Sequence, residues 1–149
     1  ITESPRRESA GHGFVDQLHF RLLDRIRFEL DKRGIPLLVT LLPSVFQYDL
    51  HAAERPQAKL YAAMGHPLQE EWAFRPTELE RIVASWADRA EIPFLDATPA
   101  FRDRVQNVGG DEPLNFAIDN HWTPAGHLAA AEIIGDWLAT SDEVSFLRD

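Results

Sequence analysis

Asp119 and His121, two residues apart in the string Asp119-Asn120-His121, are the pair in this chain best suited to do chemistry. If the loop bends between them, the carboxylate can accept a hydrogen bond from imidazole Nδ1. The tautomer is then fixed, and Nε2 is left free to take a proton from a hydroxyl, which is the work of a base and its orienting acid in nucleophilic acyl chemistry. The same spacing fits a plainer role, in which Asp119 caps a turn and His121 is a half-exposed loop residue. A third use joins Asp119, His121 and His127 around zinc or iron, which suit carboxylate and imidazole ligands. His127, however, falls in the first turn of a predicted helix, where packing or capping suits it better. His12, His19, His51 and His66 are isolated and read as surface or partly packed side chains.

A base of this kind needs a nucleophile. The chain has no cysteine, and none of its serines (Ser4, Ser9, Ser44, Ser85, Ser141, Ser145) follows a Gly-Asp pair. Ser44 comes after an apolar run, as nucleophile-elbow serines do, but it lacks their flanking glycines and fits a turn or cap after Pro43.

Several elements must hold this loop. Residues Ile1 to Gly13 are polar and aperiodic and read as a flexible lead-in, leaving 14–149 as the folded portion. Phe14, Leu18, Leu22, Ile26 and Leu30 recur every four residues, which predicts an amphipathic helix over Phe14 to Arg33, stopped by Gly34-Ile35-Pro36. Leu37 to Leu42 is an apolar run without alternation between Pro36 and Pro43, as expected of a strand covered on both faces. An irregular excursion from Pro43 to Pro76 includes one short helix around Gln57 to Met64. Its Tyr48, Tyr61, Trp72 and Phe74 fit a satellite core or the lining of an acyl or sugar pocket. Thr77 and Glu80 form a capping box for a helix whose stripe is Leu79, Ile82, Val83, Trp86 and Ala90. A second strand at Pro93 to Asp96, a short helix from Pro99 to Val105 and a loop from Asn107 to Pro113 follow. A final helix then opens on Thr123 as cap and Pro124 at its first position. Alternating helix and strand predicts an α/β fold with a parallel sheet and helices on both faces.

Composition narrows the function classes. Acidic residues outnumber basic ones 24 to 15, for a formal net charge of -9, which speaks against a nucleic-acid partner. Arg21, Arg25, Arg27, Lys32 and Arg33 alternate with Asp24, Glu29 and Asp31, the pattern of a solvated helix face. No apolar run reaches the roughly 20 residues of a membrane-spanning helix. The chain opens on Ile1 and its one methionine is Met64, which reads as a trimmed or processed chain. The absence of cysteine does not choose a compartment, so cytoplasmic and extracytoplasmic locations both stay open.

The string Asp119-Asn120-His121-Trp122-Thr123-Pro124-Ala125-Gly126-His127, continuing into Leu128 to Ile134, resembles the last conserved block of bacterial SGNH/GDSL hydrolases. It is most similar to the Asp-x-His-Trp form of alginate O-acetyltransferase-like proteins. Gly34 to Val39 with Leu42-Pro43-Ser44, and Ile92 to Phe101, fit the later strands of that family more generically. The resemblance spans about Phe14 to Leu138. It implies the second half of a three-layer α/β/α, flavodoxin-like domain, with His121 as general base, Asp119 as its partner and no metal or organic cofactor. It also implies a serine nucleophile in a Gly-Asp-Ser block, together with oxyanion-hole Gly and Asn, in a preceding half that these residues lack. The function implied is hydrolysis or transfer of an ester-linked acyl group, such as acetyl on a carbohydrate. The alternative is a non-catalytic carbohydrate-binding or assembly module of the same fold.

Overall fold

The computed structural model describes residues 12–66, 68–108 and 113–148, in two compact units, Ile1–Leu37 and Leu38–Asp149. Among its described residues the first unit holds one helix, α1 (His12–Asp31). It begins two residues inside the predicted lead-in, the rest of which lies outside the described residues. Its end follows the expected chemistry. Gly34 takes φ +63°, a left-handed conformation that a side chain disfavours, while Gly34 and Ile35 donate to Asp31 and Leu30 at 3.1 Å each. The basic face is solvated as predicted: Arg25 pairs with Glu29 at 2.6 Å, Arg27 with Asp31 at 3.6 Å, and Lys32 sits over the Phe28 ring.

The second unit is built around a parallel pair, β1 (Val39–Leu41) and β2 (Phe94–Asp96), in the register Val39 with Phe94 and Leu41 with Asp96. Between the strands lie α2 (Pro56–Ala63) and α3 (Glu78–Arg89); α4 (Thr98–Asp103) and α5 (Pro124–Thr140) follow. The class is therefore mixed α/β, dominated by helix. The strands correct one expectation. Both are three residues long and only half-buried, not covered on both faces. Pro36 and Pro43 bracket β1 and cannot donate to a ladder, which keeps it short.

The predicted capping box at α3 forms: Thr77 Oγ1 accepts from the Glu80 amide at 3.3 Å, and the Glu80 carboxylate accepts the Thr77 amide. The buried face of α3 differs from the predicted stripe. Leu79 is exposed, whereas Glu80, Trp86, Ala87 and Ala90 are buried. Glu80 turns inward because its carboxylate is needed by the cap and lies 3.9 Å from Arg102. Burial alone would raise the Glu80 pKa; hydrogen bonding, chiefly with Thr77, outweighs it and holds the carboxyl below its ordinary range. Arg102, on α4, ties the excursion down by donating to the carbonyls of Gln47 (2.7 Å), Trp72 (2.8 Å) and Arg75 (3.0 Å).

The hydrophobic core joins Val45, Phe46, Tyr48, Ala52 and Ala58 of the excursion to Ala97 and Phe101 of the β2–α4 segment and Ala129 and Ala130 of α5. Alanines at the α5 contact let its backbone approach closely. Tyr48, assigned from sequence to a satellite cluster or pocket, belongs to this main core at 1% exposure. Trp72 packs against it, while Tyr61 and Phe74 remain exposed. Among the described residues no helix is long and apolar enough to cross a membrane.

Candidate functional site

The loop between Pro113 and α5 carries Asp119 and His121, and its shape follows from a few backbone contacts. The Thr123 amide donates to the Leu114 carbonyl at 3.0 Å and the Phe116 amide to the His121 carbonyl at 3.0 Å, while Asn115 and Trp122 face each other in an antiparallel bridge. On the returning side, Asp119 and His121 are exposed, Asn120 and Trp122 half-buried. A bend through Asp119 and Asn120, closed by the His121 amide on the Asp119 carboxylate, is why residues two apart meet.

Thr123 closes the loop and opens the helix together. Its hydroxyl donates to the Pro113 carbonyl at 2.7 Å and accepts from the Gly126 amide at 3.2 Å. Gly126 is required by space: a Cβ there would lie 2.2 Å from the Leu114 carbonyl oxygen. The Trp-Thr-Pro-Ala-Gly portion of the motif is thus the part that pins helix to loop.

His121 Nδ1 lies 3.2 Å from Asp119 Oδ1, and the same oxygen accepts the His121 backbone amide at 3.0 Å. Asp119 therefore both closes a local turn and faces the ring. The turn cap weighed from sequence is formed, and the same carboxylate lies beside the imidazole. The His121 side chain is 85% exposed and that of Asp119 54%, so Nε2 is open to an incoming group and the pair is well solvated.

Behind the loop lies a buried polar latch. The Tyr48 hydroxyl donates to Asn115 Oδ1, and Asn115 Nδ2 donates to the Asn120 carbonyl at 2.9 Å. Burial pushes the Tyr48 phenol well above its ordinary range, with Asp49 adding to and Arg55 opposing the shift, so Tyr48 remains a donor. Outside the latch, Arg55 donates to Asp49 Oδ2 at 2.9 and 3.3 Å and to the Phe116 carbonyl at 3.2 Å. Tyr48, Asp49, Arg55 and Asn115 line one side of a cleft of about 150 Å³ whose other walls include Arg104, Val105 and Leu114.

No family model, curated protein or solved structure matches this chain. The site accordingly stands on its own geometry. His127 does not join the pair: it packs edge-on against Trp122, ring centroids 5.6 Å apart, and among the described residues no group of three or more His, Asp or Glu side chains is arranged to hold a metal. Trp122 stacks on Phe101 at 5.5 Å, and Phe101 meets Tyr48 at 5.3 Å, so rings run from the core to the loop. Ser44 caps the turn Val45–Gln47, its amide donating to Gln47 Oε1 at 2.8 Å, which gives it the structural role expected of a serine after Pro43. Gly109-Gly110 lies outside the described residues. Sequence reading named Tyr48 as a core or pocket-lining ring but missed Asp49, Arg55 and Asn115, because their partners are set by tertiary contact.

Proposed function

We propose that Asp119 and His121 are the orienting acid and general base of an SGNH-type serine ester hydrolase or O-acyltransferase acting on acyl esters such as O-acetylated carbohydrate. The observation that carries this reading is the Nδ1 face of His121 set 3.2 Å from a carboxylate while the rest of the ring is open. In that arrangement an Nδ1–H is retained by Asp119 and Nε2 accepts a proton. In the proposed cycle a serine Oγ attacks the ester carbonyl as His121 Nε2 takes its proton. The imidazolium, steadied by Asp119, returns that proton to the departing alkoxide. Water then resolves the acyl-enzyme in hydrolysis, or a sugar hydroxyl in transfer.

Two requirements follow. None of the chain's serines lies in a Gly-Asp-Ser block, so on this reading the nucleophile comes from a segment beyond these 149 residues. The same segment must cover the pair, because an exposed ion pair is screened and contributes only ~0–1 kcal/mol. β1 and β2 then belong to the later part of a parallel sheet in a three-layer α/β/α domain. No step of this cycle calls on a metal or organic cofactor.

The test is ester turnover by a polypeptide joining this chain to a Gly-Asp-Ser block, measured on an activated acetyl ester. His121→Ala is expected to lower turnover by about 10²- to 10⁴-fold, the usual contribution of a positioned base. Unchanged turnover sinks the proposal. The lack of a Gly-Asp serine also favours a second reading, a non-catalytic carbohydrate-binding module. That reading predicts saturable binding of an O-acetylated oligosaccharide with the acetyl ester left intact.

A further inference from the structure

We propose that Arg55 is a positioning residue for the Asp119–His121 pair, holding the outer half of the loop so that the imidazole keeps its Nδ1 face on the carboxylate. This inference rests on the base role proposed for His121. The inner half of the loop is fixed by Tyr48, Asn115 and Thr123, all buried. The outer half has no such anchor: Phe116, Ala117, Ile118 and Asp119 are all exposed, Ile118 to 87%. The Arg55 guanidinium reaches this half through one bond, Nη1 to the Phe116 carbonyl at 3.2 Å. Phe116 is also the residue whose amide donates to the His121 carbonyl. A displacement of Phe116 is therefore passed directly to the histidine.

The guanidinium is itself aimed. Asp49 Oδ2 accepts from both Nε and Nη2 of Arg55, and Asp49 Oδ1 is held by the His51 amide at 2.9 Å. The Asp49 and Arg55 side chains are each 17% exposed, well shielded beside the pair they steer. A planar fork serves a carboxylate and a carbonyl at once; a lysine ammonium lacks that fixed geometry. The relay runs from Asp49 through Arg55 and Phe116 to His121, and touches no reacting atom.

The measurement is the tautomer of the neutral His121 ring, read from its ¹⁵N shifts in the 149-residue chain, about two units above an ordinary imidazole pKa of ~6.5. The native chain should favour Nδ1–H, and Asp119→Asn should abolish that preference. Arg55→Gln should lower the Nδ1–H fraction by about half or more, and Arg55→Lys should restore part of it. Asp49→Asn, nearly isosteric, should move the fraction the same way and decides the matter if Arg55→Gln fails to fold. A merely structural Arg55 would change the melting temperature and leave the tautomer alone, and that result overturns the proposal. If the native preference does not depend on Asp119, the base reading fails instead.

Discussion

Glu80 and Asp119 each face a cationic or ionisable partner, and their surroundings give them opposite uses. Glu80 is 2% exposed, caps α3 and sits 3.9 Å from an Arg102 that is itself tied to three carbonyls. Asp119 is about half exposed and has a turn amide and one imidazole beside it. In the first case the acid is committed to the helix cap and lies against a fixed guanidinium, so it serves to hold the chain together. In the second, water still competes for both partners, so little folding energy depends on the pair. Burial, more than residue type, separates a structural acid from a candidate functional one.

The contrast is sharpest in stability. Glu80→Ala leaves the Thr77 amide and the Arg102 guanidinium without their acid and should destabilise the chain by about 3 kcal/mol, the range for breaking a buried pair. A shift in the urea midpoint reads this directly, and a change under ~0.5 kcal/mol would erase the distinction drawn here. Because the Glu80 pKa is lowered on folding, its contribution is present above the ordinary carboxyl value of 4.5 and is lost as pH falls through the lower folded value. Glu80→Gln should therefore flatten the acid limb of the stability profile below 4.5.

Gly126→Ala probes the seam between loop and α5. The added methyl must displace the Leu114 carbonyl, for an expected loss of about 1–3 kcal/mol, checked by thermal melting together with the near-ultraviolet signal of Trp122. Tyr48→Phe leaves Asn115 Oδ1 buried without its donor and should lose about 1–2 kcal/mol in the same melt. Asp119→Asn should be smallest, within about 0.5 kcal/mol, as befits an exposed pair. A larger loss there would make Asp119 a structural residue like Glu80.

Much of this arrangement was legible in the residues. The helix starts at Thr77 and Thr123 followed from cap chemistry, because a side-chain oxygen placed before orphan amides is a local matter. The stop of α1 at Gly34 followed for the same reason. The expectation of strands covered on both faces failed, since apolar runs such as Leu37 to Leu42 report what could be buried and not what arrives to bury it. The α3 stripe failed at Leu79 because a capping carboxylate and an arginine from α4 drew Glu80 inward, a preference that hydropathy periodicity does not contain.

The sequence by itself determined the bend that lets Asp119 meet His121 two residues on, and the Thr-Pro-Ala-Gly turn that follows, since both act within a few bonds of the residues concerned. Only the tertiary structure decided that Tyr48 and Arg55, from a segment without clear periodicity, grip that loop from within and without. Hydrogen bonds between residues some sixty positions apart depend on where the core brings the backbone, and no local pattern encodes that meeting.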